Sequence, residues 1–174
     1  MGSYLNPGNK GFQESLNSEI YVDKTGLIEK TNAVLDTRQK FLCVSRPRRF
    51  GKSMAADMLA AYYERGEDAD LLFRSLKISK AESYRAHLNQ YDVIKVNIQE
   101  FLSMTGSMDE MLSMLKKYLV FDLMEHFDDV RFRDESNLIQ VMKDIYAKTK
   151  RAFVILIDEW DCLFREYQQD QDSQ

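Results

Sequence analysis

Three segments with the marks of buried or half-buried strands set the fold class of this chain. Phe41-Leu42-Cys43-Val44 and Phe153-Val154-Ile155-Leu156-Ile157 are continuous apolar runs bounded by polar residues, and Tyr91–Ile98 is a third strand segment between them. A strand with one wet face alternates polar and apolar side chains. A continuous run instead fits a strand covered on both faces, as in a parallel sheet. Helical patterns fill the intervals: Met54, Met58, Leu59 and Tyr62; then Met108, Met111, Leu112, Leu115, Tyr118, Leu119 and Leu123; then, from about Ser136, Leu138, Val141, Met142, Ile145 and Tyr146. Strands alternating with helices predict a three-layer α/β fold with a mostly parallel sheet.

Local signals refine the map. Residues 4–19 are polar and carry Pro7, Gly8 and Gly11, which predicts an extended arm over residues 1–20. Asp23 caps a short helix through Leu27 and Ile28 towards Val34. Ser79 with Glu82 and Ser107 with Glu110 form capping boxes, opening helices to about Leu88 and through Leu123 respectively. Gly66 ends the helix that begins near Met54. The core then spans residues 40–166, and residues 167–174 are a polar tail.

Composition excludes several classes. The chain has 174 residues, 44% apolar and 30% charged, with a net charge of -4. That charge disfavours broad electrostatic binding of nucleic acid, so direct nucleic-acid contact is not expected. No apolar stretch approaches the roughly 18 residues of a membrane span, and the N-terminus lacks the pattern of a signal peptide. Cys43 and Cys162 lie in apolar runs and read as reduced, buried thiols of a cytoplasmic protein, with no group nearby in sequence to activate either. His87 and His126 are isolated and lack ligand spacing. The methionines 104, 108, 111, 114 and 124 read as core filler.

Chemistry enters at the end of the first predicted strand. Ser45-Arg46-Pro47-Arg48-Arg49-Phe50-Gly51-Lys52-Ser53-Met54 runs from that strand into a helix. Gly51-Lys52-Ser53 matches the end of the phosphate-loop pattern G-x-x-x-x-G-K-[ST]. Glycine lets the backbone curl its N–H groups onto phosphate oxygens, lysine places a cation on the β- and γ-phosphates, and serine offers a hydroxyl to Mg²⁺. The helix start adds its own partial positive charge. Arg46 replaces the first glycine of the pattern. Arg46, Arg48, Arg49 and Lys52 place four cations in seven residues of an acidic chain. A triphosphate, most simply that of ATP, is their natural counter-charge, and Arg46 to Met54 form the candidate binding loop.

The third strand ends in Asp158-Glu159, the Walker B arrangement. Asp158 is placed for the Mg²⁺ shell through water, and Glu159 for accepting a proton from an attacking water. Lys52 and Glu159 are therefore the candidate catalytic residues, and Ser53 and Asp158 the metal ligands. Trp160 reads as a packing residue. Asp161 reads equally well as a support for the metal or a solvated loop acid. Arg165 reads chiefly as a helix-surface residue, with an arginine-finger role as the lesser alternative.

With both motifs in place, the sequence resembles bacterial AAA-ATPase-like proteins, often fused to a C-terminal nuclease-like domain of the PD-(D/E)XK type. The segments that carry the resemblance are Tyr4–Asn9, Tyr21-Val22-Asp23-Lys24-Thr25, Ser45–Ser53 and Ile157–Cys162. It implies that the arginine-rich loop is a family trait, that Gly51, Lys52 and Ser53 bind nucleotide, that Asp158 and Glu159 handle metal and water, and that Tyr21–Thr25 approaches the nucleoside. It also implies a strand order 5-1-4-3-2, in which the loop strand sits between strands four and five. Residues 1–174 would then be the N-terminal portion of one P-loop ATPase domain that continues beyond Gln174, unless the first and third strands pair directly. Hydrolysis is expected of the longer protein and not of this portion alone. Oligomeric assembly stays open.

The leading expectation is thus an ATP-binding P-loop domain with Mg²⁺-dependent hydrolysis in the full-length protein. The alternative is a non-catalytic nucleotide-sensing module. A small-molecule kinase is a distant third, since neither an acceptor site nor an arginine-bearing lid is evident. A GTPase is disfavoured because Asn9-Lys10 lacks the aspartate of the Asn-Lys-x-Asp base-reading element.

Overall fold

A computed structural model describes residues 3–45 and 50–164. In chain order the elements are α1 (Lys10–Leu16), α2 (Gly26–Asn32), α3 (Lys52–Tyr63), the single turn α4 (Asp70–Phe73), a 3₁₀ turn at Lys77–Lys80 and the short α5 (Tyr84–His87). Then follow β1 (Asp92–Asn97), α6 (Ile98–Ser103), α7 (Met108–His126), α8 (Leu138–Thr149) and β2 (Phe153–Asp158). The chain is α/β with a small parallel sheet: β1 and β2 pair from Asp92 with Phe153 to Asn97 with Asp158.

The side-chain alternation of β1 feeds two cores. Val93, with Val154 and Leu156 of β2, packs into a cluster with Met58, Tyr62 and Tyr63 of α3. Ile94 and Val96 face the other way, into a cluster with Met111 and Leu123 of α7 and Val141 and Ile145 of α8. Helices therefore cover both faces of β1, whereas α3 covers one face of β2 and leaves Ile155 and Ile157 exposed. Arg151 Nε donates to the buried Asp92 carboxylate at 2.8 Å, pinning the start of β2 to the start of β1. Lys95 of β1 pairs with Asp57 of α3.

The N-terminal arm closes the free edge of β1. Leu5 bridges Ile94 in antiparallel sense, Asn6 N–H donates to Val93 C=O at 2.7 Å and Lys95 N–H to Tyr4 C=O at 2.8 Å. The Asp122 carboxylate of α7 accepts from Tyr4 N–H at 2.6 Å. Gly8 N–H donates at 2.7 Å to Glu64, buried at the end of α3, and burial pushes that carboxyl above the usual range. The arm is not extended throughout, because residues 10–16 form α1 and bury Phe12.

Several expectations are corrected. Phe41–Val44 is not a strand. It has no ladder partner among the described residues, and Phe41 is 87% exposed. The direct pairing of first and third strands is therefore absent; the second and third pair instead. Cys43 is exposed, not buried, because the run around it is uncovered. The Ser79–Glu82 box does not open a long helix, since the Ser79 hydroxyl donates to Leu76 C=O at 2.8 Å. The helix after the loop ends at Tyr63, before Gly66, where Glu64 turns extended to bridge Tyr91. The Ser107 half of the other box does form: Glu110 N–H donates to Ser107 Oγ at 3.2 Å and opens the 19-residue α7, while the Glu110 carboxylate accepts from Gly106 N–H at 3.0 Å and not from Ser107 N–H. Met111 in it is fully buried, as core filler should be, whereas Met104, beyond α6, is exposed.

Candidate functional site

The site is built at the start of α3. Gly51 adopts φ 77° and ψ 35°, the left-handed region that side-chain-bearing residues enter at a cost of about 1–2 kcal/mol. Helix α3 begins at the next residue, Lys52, with Gly51 C=O accepting from Ala55 N–H at 3.0 Å. The first N–H groups of a helix have no partner within it, so Lys52, Ser53 and Met54 present backbone donors where an anion is favoured. Ser53 is exposed and so is Met54; Lys52 is partly covered. Phe50 is exposed beside them. Arg46, Arg48 and Arg49 lie outside the described residues, as do Arg165 and the 167–174 tail.

β2 delivers the second motif. Asp158 is buried at its last position, level with Asn97 at the end of β1. One Asp158 oxygen accepts from Glu159 N–H at 2.9 Å. Glu159 has φ 53°, a left-handed conformation that costs on the order of 1–3 kcal/mol and is concentrated at functional sites. The chain turns there into Trp160-Asp161, and Cys162 N–H donates back to Glu159 C=O at 3.2 Å. Trp160 packs edge-on against Phe164, with ring centroids 5.7 Å apart, yet stays substantially exposed. Cys162 is buried in the α7–α8 cluster, and burial, with Asp161 and Glu159 adding to it, pushes its thiol up. That makes it a poor nucleophile at neutral pH.

The two motifs meet. Lys52 Nζ lies 4.0 Å from Asp161 Oδ1, so the loop lysine and the turn after β2 share one locus. The two histidines lie apart: His87 Nδ1 bonds the Tyr91 hydroxyl at 2.6 Å, and the exposed His126 ring stands edge-on to Phe127. Among the described residues no three His, Cys, Asp or Glu side chains gather as a metal cage.

The loop motifs alone do not single out Lys24 as a contact. Its ammonium donates to Phe50 C=O at 3.3 Å, and a Cβ added to Gly51 would stand 3.2 Å from Lys24 Nζ. The Asp23-Lys24-Thr25 string was the available signal, but only a folded chain shows that its lysine meets the loop.

Comparison with known proteins follows the same direction. The sequence model of the AAA-ATPase-like family, described as a predicted AAA-ATPase, matches residues 8–174. An uncharacterized protein in the vnfD 5' region of Azotobacter chroococcum mcd 1 is 26% identical over 146 residues, covering 81% of this chain and 25% of that protein. The chain thus spans about a quarter of the length of that relative. No solved structure matches. No helix among the described residues is long and apolar enough to cross a membrane.

Proposed function

This chain belongs to the AAA-ATPase-like family, and from that premise we propose that it is the nucleotide-binding part of an ATPase that takes ATP on the loop ending in Gly51-Lys52-Ser53. The observation that carries the reading is the left-handed Gly51 opening α3, with Lys52 reaching Asp161 beside the Asp158-Glu159 turn. The parallel β1–β2 pair, with β1 helix-covered on both faces, is read as part of a three-layer P-loop core.

The roles follow from placement. Backbone N–H groups of Lys52, Ser53 and Met54 bind phosphate oxygens at the start of α3. The Lys52 ammonium leaves Asp161 for the β- and γ-phosphates, and Arg46, Arg48 and Arg49 supply further charge. Mg²⁺ suits the donor set of one hydroxyl and one carboxylate, because it keeps several waters and takes few protein ligands. Ser53 and Asp158 would hold it, and when bound it neutralises charge on the transferring phosphoryl group. Glu159 orients the attacking water and takes its proton. Hydrolysis, a nuclease-like partner domain and a cytoplasmic setting are assigned to the longer protein.

Calorimetric titration of Mg²⁺-ATP tests the binding step. Wild-type chain binds and Lys52→Ala loses most of the affinity; unchanged affinity in Lys52→Ala removes the site assignment. In the longer protein, Glu159→Gln keeps binding and loses phosphate release. Binding without release in the wild-type longer protein selects a nucleotide-sensing module in place of an ATPase.

A further inference from the structure

We propose that Lys24 is a second phosphate-binding cation of this site, held against the loop by a clamp made from its two neighbours. The inference rests on the ATP-binding reading above and adds a ligand-contacting residue to it.

The clamp is complete on the Asp23 and Thr25 sides. Asp23 Oδ1 accepts from Thr25 N–H at 2.9 Å and from Thr25 Oγ1 at 2.6 Å. Asp23 Oδ2 accepts from Lys77 N–H at 2.8 Å. The Thr25 hydroxyl oxygen, fully buried, accepts from Ile78 N–H at 3.1 Å. The two side chains thus tie the start of α2 to the 3₁₀ turn at Lys77–Lys80. Backbone bonds from Leu27 N–H to Lys24 C=O, 3.0 Å, and from Ile28 N–H to Thr25 C=O, 2.9 Å, lock the first turn. Lys24 alone of the three turns its side chain towards residue 50.

The charge at its tip is the point. Lys52 already has a carboxylate within 4.0 Å. Lys24 makes no ion pair among the described residues, and its Phe50 contact occupies one of the three N–H donors of an ammonium. A cation with no ion pair among the described residues therefore stands beside the left-handed glycine and the start of α3, where the polyphosphate of a nucleoside triphosphate supplies negative charge. A neutral brace of the loop would need only a donor for Phe50 C=O. A phosphate ligand needs the charge.

That difference sets the experiment: titration of Mg²⁺-ATP and of AMP into wild-type chain, Lys24→Gln, Lys24→Arg and Lys52→Ala, with thermal melts to verify folding. Lys24 is exposed, so its variants should melt like wild type. Lys24→Gln, which keeps an N–H donor but no charge, should bind ATP about tenfold more weakly, in the range of one charge-assisted hydrogen bond. Lys24→Arg should stay within about threefold of wild type. AMP affinity should change less than ATP affinity in Lys24→Gln. Wild-type ATP affinity in Lys24→Gln, together with lost binding in Lys52→Ala, overturns the role of Lys24 and leaves the phosphate loop standing. Absence of ATP binding in wild type, or full binding in Lys52→Ala, overturns the underlying reading and this inference with it.

Discussion

The two strands of the sheet differ in apolar content, three residues of six in β1 and five of six in β2, and the more apolar strand is the less covered. In β1, Val93, Ile94 and Val96 are buried, and each edge is occupied, one by β2 and the other by the arm at Tyr4–Asn6. In β2, Val154 is buried, but Ile155 and Ile157 are 53% and 54% exposed. Phe41, Leu42 and Val44, just ahead of the loop, are uncovered as well. The closed region is scaffold. The open region carries Gly51, Lys52, Asp158 and Glu159. An apolar run therefore states that a segment suits burial and leaves unstated which element buries it.

The strongest way to break this contrast is to shorten a side chain of β1. Ile94→Ala removes three carbons from a site 2% exposed and should cost about 2–5 kcal/mol in denaturant unfolding. A smaller effect comes from Arg151→Met, which removes the 2.8 Å partner of Asp92 and leaves a buried carboxylate under-satisfied; about 1–3 kcal/mol is expected. A loss for Ile94→Ala below about 1 kcal/mol would show that β1 is not tightly packed.

Acid sharpens the scaffold side. Burial alone would raise the Asp23 carboxyl, but hydrogen bonds from the Thr25 hydroxyl and from the Lys77 and Thr25 N–H groups outweigh it and hold it below the usual range. A folded value lowered in this way contributes stability above the unfolded value of about 3.9 and loses it as pH falls through the folded one. The stability gap between wild type and Asp23→Asn should therefore be present at neutral pH and close below about pH 4. Glu64 acts with opposite sign. Its folded value is raised by burial, so the fold gains stability as pH drops from above that value towards the ordinary value of about 4.3. Denaturant midpoints of Glu64→Gln should lack that rise.

The smallest effect belongs to the open face. Ile155→Ala should change stability by no more than about 0.5 kcal/mol, as for an exposed side chain. A loss comparable to that of Ile94→Ala would mean that β2 is covered in solution.

The sequence was most legible where a signal was local. The Ser107 cap formed because hydroxyl and N–H sit within one turn, and β1 and β2 formed because each found the other in parallel register. Phe41–Val44 failed because a strand exists only through hydrogen bonds to a neighbour. The Ser79 box failed for a distant cause: Asp23 and Thr25 hold the N–H groups of Lys77 and Ile78 and fix a 3₁₀ turn there. The same distance hid the contact of Lys24 with Phe50, 26 positions away, although the resemblance already marks Tyr21–Thr25 as a segment near the nucleoside. The glycine-lysine-serine string, by contrast, announced both its own backbone and its neighbour helix, because the left-handed conformation that opens the helix favours glycine at that point.

The central claim is that the start of α3 binds the phosphates of ATP. Amide NMR of the chain during titration with Mg²⁺-ATP addresses it residue by residue. The account predicts that the N–H signals of Gly51, Lys52, Ser53 and Met54 shift first and most, with Lys24 and the Asp158–Asp161 turn following at the same ligand concentration. Shifts confined to other parts of the chain, with residues 51–54 unmoved at saturation, would contradict it.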